Sequence, residues 1–176
     1  ADFMTHMGID FSNWNCFGKR PVEMALDMGL LNQNTLAVHL LEINSKEMEN
    51  FAQTGAHACL CPRSNWMLHH QLPDIEGFLK LGIQPALGTD SLASVTTLSL
   101  FDEMRFIHDR FPKMSPDVIL GMGTRNGARA LGYPDLGTLR PGNRSAMIYV
   151  DLNVANAKEA AEALVSTENL SVNPMF

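Results

Sequence analysis

From residue 35 to about residue 132 the chain alternates short apolar runs with amphipathic stretches, and this alternation constrains its fold more than any other feature. It is the pattern of βα units feeding a parallel sheet, where each strand is followed by a helix that packs back on it. Thr35-Leu-Ala-Val-His-Leu-Leu41 predicts a first buried strand. Asn44-Ser-Lys-Glu47 predicts a capped helix start, and the helix runs through Met48, Phe51 and Ala52 to Gly55. Ala56-His-Ala-Cys-Leu-Cys61 predicts a second strand, stopped by Pro62, with a loop over residues 63–71. Pro73-Asp74 opens a helix that carries Ile75, Phe78 and Leu79 on one face. Ile83 to Leu87 predict a third strand with Pro85 near its start, where a missing N–H is best tolerated.

The pattern continues with a longer helix over 97–110, its buried stripe made of Leu98, Phe101, Met104 and Ile107. Ser115-Pro116 predicts the start of a shorter helix, and Thr124 is placed to cap another that ends at Gly132. A strand is predicted over Ser145–Asp151, a helix over 155–165, and an earlier helix from Pro21 to Gly29. Gly121, Gly123 and Gly127 lack the spacing of a dinucleotide loop and read as helix-junction glycines.

Length conflicts with the most familiar βα architecture. A complete eight-stranded α/β barrel needs about 250 residues and at least about 200, and this chain has 176. With 45% hydrophobic residues it has the composition of a globular protein with a real core. A net charge of −6, with 13 scattered basic residues, excludes a nucleic-acid surface. No stretch approaches 18 consecutive apolar residues, so no membrane span is expected, and Asp2, His6 and Asp10 spoil a signal-peptide pattern. Three cysteines, Cys16, Cys59 and Cys61, fit a reducing, cytoplasmic compartment better than a disulfide framework. Cys59 and Cys61 would share one face of a strand and read as buried core thiols.

Chemistry is concentrated at the strand ends: His39 after the first, Cys61-Pro-Arg-Ser-Asn65 after the second, Asp90 after the third. In parallel α/β architecture these ends converge on the face where ligands bind. A histidine and a carboxylate delivered there by different strands suit a metal–water hydrolase, the Asp as ligand and proton acceptor and the His as polarising group. Spacing alone leaves a second reading for each: a satisfied core histidine, and an Asp that caps the following segment. His57 reads as packing, His69 and His70 as rim or solvated residues, His6 and His108 as surface residues without partners. Arg105 is expected to pair with Glu103.

Taken in order, Leu36-Ala-Val-His39, Cys61-Pro-Arg-Ser-Asn65, Leu87-Gly-Thr-Asp-Ser91 and Phe101-Asp-Glu-Met-Arg105 resemble the C-terminal half of the amidohydrolase superfamily. The branch is that of adenosylhomocysteine and guanine deaminases and chlorohydrolases. Pro21-Val-Glu-Met-Ala-Leu26 with Gly29-Leu-Leu31 resembles the helix before that family's sixth barrel strand. Thr124-Arg-Asn-Gly-Ala-Arg-Ala-Leu-Gly132 and Gly137-Thr-Leu-Arg-Pro-Gly142 resemble its exit into a small β-sandwich. The resemblance covers roughly residues 20–152. It implies a partial TIM-like (β/α)8 barrel, strands six to eight, followed by a strand of the β-sandwich. Residues 1–135 would be the barrel part, and 136–176 the exit segment and tail.

The resemblance also implies the site and the reaction. His39 matches the His that ends strand six and orients substrate. Asp90 matches the strand-eight Asp, a metal ligand that also shuttles protons. Ser64 and Asn65 match the turn after strand seven and contribute to the substrate pocket wall. The reaction implied is hydrolytic deamination, or loss of another leaving group, from a purine-like or other nitrogen heterocycle, with Zn²⁺ or Fe²⁺ activating the water. The family's first-strand His-x-His is absent, and its fifth-strand His with a Glu three residues on is expected upstream of residue 1. His39-Leu-Leu-Glu42 imitates the latter motif, but its spacing to Asn65 and Asp90 assigns His39 to strand six and Glu42 to the solvated loop. With one clear ligand, where catalytic zinc normally has three, the 176 residues by themselves are expected to be inactive. The expected partners are the missing N-terminal half of the barrel and a small heterocyclic substrate; a homo-oligomer stays open. The alternative is a non-catalytic α/β module that binds a partner, or one half of a two-chain enzyme.

Overall fold

A computed structural model describes residues 2–10, 12–13 and 18–175; Cys16 lies outside the described residues. Helices α1 (Asp2–His6) and α2 (Pro21–Asp27) precede a βα series: β1 (Leu36–Val38), α3 (Ser45–Ala52), β2 (His57–Leu60), α4 (Pro62–His69), α5 (Ile75–Lys80) and β3 (Ala86–Leu87). The three strands form one parallel sheet in the order β1-β2-β3, with Val38 opposite Cys59 and Cys59 opposite Ala86. Then come α6 (Leu100–Arg110), α7 (Pro116–Gly123), α8 (Arg125–Ala130), β4 (Met147–Val150), α9 (Ala157–Ser166) and β5 (Val172–Met175). β4 and β5 pair antiparallel in a separate ribbon, while α9 returns to pack on α6 and α7.

Local chemistry explains most of these boundaries. α3 begins on a full capping box: the Asn44 side chain accepts from the Glu47 N–H at 2.9 Å, and Glu47 accepts from the Asn44 N–H at 3.0 Å. Asp74 caps α5 by accepting from the Gly77 N–H. Ser99 caps α6, so that helix starts at Leu100, and Leu98 lies outside it, 59% exposed. Thr124 sits between α7 and α8 but does not cap; its hydroxyl donates back to the Leu120 carbonyl at 2.6 Å. Pro85 lies just before β3, its carbonyl accepting from Asn126 Nδ2 at 3.0 Å. α7 crosses α6 closely at Gly123, where a Cβ would meet Met104 Sδ at 2.8 Å.

The core lies between one face of the sheet and the helices that cover it. It contains Met48 and Phe51 of α3, Ala58 and Leu60 of β2, Ile75 and Phe78 of α5, Leu87 of β3, and residues of α6, α7 and α9. Two expectations need correction here. The first strand is shorter than the apolar run, and Val38 at its end is 48% exposed although Ala86, on the same face by register, is buried; an apolar run does not mean burial on both sides. The segment after β2 is a helix, not a loop. Pro62 ends the strand but occupies N1 of α4, where its fixed φ and missing N–H suit a helix start.

Candidate active site

His39, Cys61 and Asp90 follow β1, β2 and β3, so the parallel sheet brings their neighbourhoods to one edge. Both His39 and Asp90 have left-handed backbones, φ 69° and 64°, as does Leu40 at 49°. Such geometry costs roughly 1–3 kcal/mol per non-glycine residue and gathers at functional sites. The His39 N–H donates to the Cys59 carbonyl at 2.9 Å, anchoring the turn to the central strand.

The first turn of α4 joins the two residues. Ser64 and Asn65 are consecutive, so their side chains leave the helix about 100° apart and reach the strands on either side of β2. Asn65 Oδ1 lies 2.9 Å from His39 Nδ1. Ser64 Oγ donates to Asp90 Oδ2 at 2.6 Å. Ser64 and Asn65 are 0% and 2% exposed, so both hydrogen bonds are made by buried side chains. With the Asn65 oxygen as acceptor, the His39 Nδ1–H is the donor of this bond, which leaves Nε2 facing away from Asn65. Asn65 Nδ2 is buried without a partner.

Asp90 is held ionised. The Ser64 hydroxyl, then that of Ser94 at 3.0 Å, hold its carboxyl below the usual carboxylate range, aided by the nearby His39 and the Ser91 backbone. Both hydroxyls go to Oδ2. Ser94 is 5% exposed, and sequence reading missed it; its position four residues beyond Asp90 in a serine-rich turn was the available signal. The arrangement therefore brings an imidazole fixed by Asn65 and an ionised carboxylate to one sheet edge.

Under this edge lies a second polar group. Glu103 on α6 is fully buried and accepts from the Arg63 N–H at 3.1 Å, with the Arg63 guanidinium 3.5 Å away. Arg105 pairs with Asp102 at 3.0 Å instead of Glu103, one helical turn back on the same face. His108 also has a partner, Glu162 of α9 at 3.2 Å, against the surface role expected for it. Glu42 is exposed, His69 and His70 are exposed, and His57 begins β2 at the opposite end of the sheet. Cys59 and Cys61 do share a face, both approaching the backbone at Gly88; Cys61 is buried and Cys59 half-buried.

Among the described residues no group of three or more His, Cys, Asp and Glu side chains converges as a metal site would require. Asp90 and His39 offer two donors, short of the three that catalytic zinc normally takes. Cavities of about 260 and 330 Å³ lie elsewhere, the first at the N-terminal ends of the strands around His57 and the second around Arg125, Arg129 and Arg140. The His39–Asp90 edge belongs to neither.

A parallel α/β sheet with this edge defines a class, and the comparisons give it a family. The amidohydrolase family model matches residues 15–174, and the chain belongs to that family. It is 34% identical over 145 residues to a 5-methylthioadenosine/S-adenosylhomocysteine deaminase of Teredinibacter turnerae, covering 78% of this chain and 33% of that protein. It is similar to an adenosine deaminase from Xanthomonas campestris solved with bound zinc: 27% identity, TM-score 0.75, covering 85% of this chain and 36% of the other. Its fold also matches the atrazine chlorohydrolase of Arthrobacter aurescens TC1, solved with zinc, at 22% identity and TM-score 0.75, covering 94% and 37%. The chain thus spans about a third of the length of the relatives it matches.

Proposed function

We propose that this chain forms the C-terminal part of a metal-dependent hydrolase that releases ammonia from a purine-like or other nitrogen heterocycle. The observation that carries the reading is the frame in which Ser64 and Asn65 hold Asp90 and His39 at one sheet edge, in a chain of the amidohydrolase family. The deaminase relatives supply the substrate class, with 5-methylthioadenosine, S-adenosylhomocysteine and adenosine first among compounds to try. In this reading β1, β2 and β3 are strands six to eight of a (β/α)8 barrel. Residues 1–135 belong to that barrel, and 136–176 lead through β4 and β5 toward a small β-sandwich.

His39 presents Nε2 to the substrate while Asn65 fixes its ring, and Asp90 accepts and returns protons through its carboxylate. Zinc, or Fe²⁺, would be held by Asp90 together with ligands outside residues 1–176, and it would lower the pKa of the attacking water. The residues present do not complete such a site, so the isolated chain is inactive. Its open sheet face is covered by the N-terminal half of the barrel.

Ammonia release from the candidate substrates tests this. The 176-residue chain with added Zn²⁺ is expected to show none. The complete enzyme is expected to turn over, and to lose at least about 10²-fold in Asp90→Asn. Turnover by the 176-residue chain, or one tightly bound Zn²⁺ per chain, overturns the incomplete-site reading; full activity in Asp90→Asn overturns the site. The absence of a third ligand among the described residues favours a second reading, a partner-binding module or one half of a two-chain enzyme. The coding sequence upstream of Ala1 separates them. A His-x-His and a His-x-x-Glu restore the single-chain enzyme, and a start codon in their place favours the second reading.

A further inference from the structure

α4 carries both supports of the candidate site, yet its own N-cap residue cannot cap it. That residue is Cys61, which makes no side-chain cap hydrogen bond, and a thiol is a weak acceptor. The next residue, Pro62, has no N–H. The first N–H of the helix that needs a partner is that of Arg63, and the acceptor is Glu103 Oε2 at 3.1 Å, forty residues away on α6. A carboxyl oxygen at a helix N-terminus satisfies an orphan donor whether or not the group is ionised, and the ionised form also opposes the positive end of the helix dipole.

We propose that Glu103 is a positioning residue of the His39–Asp90 edge, capping α4 from α6 and thereby fixing the helix turn from which Ser64 and Asn65 hold Asp90 and His39. The residues concerned are contiguous: Arg63 takes the cap, Ser64 takes Asp90, and Asn65 takes His39. Arg63 adds a second tie between the same elements. Its guanidinium lies 3.5 Å from Glu103 and 3.8 Å from Asp102, and donates to the Thr96 and Thr97 hydroxyls at 3.3 and 3.2 Å. Thr97 in turn donates to Asp102. The segment between Asp90 and α6 is thereby tied to the same helix turn as Asp90 itself.

Burying a carboxylate completely is costly, and it is retained where its loss would leave other groups unpaired. A core of packed apolar side chains would serve α6 equally well at this position; what it could not supply is an acceptor for the Arg63 N–H. The functional consequence of the inference rests on the hydrolase reading above. The positioning itself does not, and it is measured without turnover.

The test is NMR spectroscopy of the 176-residue chain and its variants. In the native chain the Arg63 amide is expected to exchange at least tenfold more slowly than a free amide, and His39 to give the imidazole ¹⁵N pattern of a single Nδ1-protonated tautomer. Glu103→Gln keeps an acceptor oxygen and is expected to preserve both signatures. Glu103→Leu is expected to lose the Arg63 protection and to shift His39 toward the tautomer mixture of a free imidazole. Adding Cys61→Ser to Glu103→Leu supplies a cap within α4 itself and is expected to restore the His39 pattern.

A native Arg63 amide exchanging like a free one overturns the inference. So does a folded Glu103→Leu chain with an unchanged His39 tautomer. If Glu103→Leu does not fold, Glu103→Gln decides: retained protection supports the cap, and lost protection overturns it. Failure of the deamination assay with these signatures intact would sink the hydrolase reading and leave the positioning role standing.

Discussion

The two faces of the β1–β3 sheet are built from alternate residues of the same strands and are covered unequally at β1 and β2, while at β3 both Ala86 and Leu87 are buried. On β2, Ala58 and Leu60 are 1% and 0% exposed and share the core with residues of α3 and α5, while His57 and Cys59, which alternate with them, are only half-buried. The register carries the difference to the neighbouring strand: Val38, opposite Cys59, is 48% exposed, whereas Ala37, opposite Ala58, packs on the core. In this sheet the core helices lie on the face that carries Ala37, Ala58 and Leu60. The His39–Asp90 edge lies beyond the C-terminal ends of these strands.

The contrast is broken or sharpened by substitutions on each side. Leu60→Ala on the covered face is expected to cost about 2–5 kcal/mol, from lost burial and the cavity left behind, read from chemical denaturation. Val38→Ala on the open face is expected to cost under about 0.5 kcal/mol. Equal costs would mean that the open face is packed after all.

The next effect concerns the charge buried behind the covered face. Burial pushes the Glu103 carboxyl up to about 7, against the pull of the Arg63 N–H and guanidinium, with Asp102 adding to the push. Cys59 of β2 and Cys61 just after it also feel its charge. The folded state therefore holds a proton that the unfolded chain releases near its ordinary pKa of 4.5. Stability is expected to fall as pH rises from about 4.5 to about 7, by roughly 3 kcal/mol from this group. Urea midpoints of the native chain and Glu103→Gln at pH 5 and pH 8 check it: the variant should lack that part of the slope and gain most at pH 8. A variant with the native slope would show that Glu103 is ionised throughout.

A smaller effect belongs to the helix that roofs the covered face. Asn44→Ala removes half of the capping box of α3 and is expected to cost about 1 kcal/mol, read as a lowered midpoint with Met48 and Phe51 still buried. A cost near that of Leu60→Ala would mean that α3 holds the sheet through its start as well as through its apolar face.

Much of this was legible in the sequence. The βα alternation placed all three parallel strands, with α3 and α5 between them, to within a few residues, and the capping box marked the start of α3 as it stands. His39 and Asp90 were singled out by their places after strands, and the structure brings them to one edge. Three things were missed for definable reasons. Pro62 carries both a strand stop and a helix start, and only the first was read, which hid α4. Arg105 pairs with Asp102 and Glu103 with Arg63, because the rotation of α6 decides which of two adjacent carboxylates turns inward. His108 looked unpartnered because Glu162 lies on α9, a helix whose return to α6 no local pattern announces.

The sequence by itself determined the period of the fold and the chemical kinds of residue that end each strand, since both follow from short-range sterics and from the order of apolar and polar groups. Tertiary structure decided what those residues do to one another. The bonds that define the site span 26 residues, His39 to Asn65 and Ser64 to Asp90, and its support spans 40, Arg63 to Glu103. Such distances are closed only when parallel strands align their ends and a helix turn is set between them. That is why one face of the sheet, one rotamer of an asparagine and one buried glutamate could not be read from the chain alone.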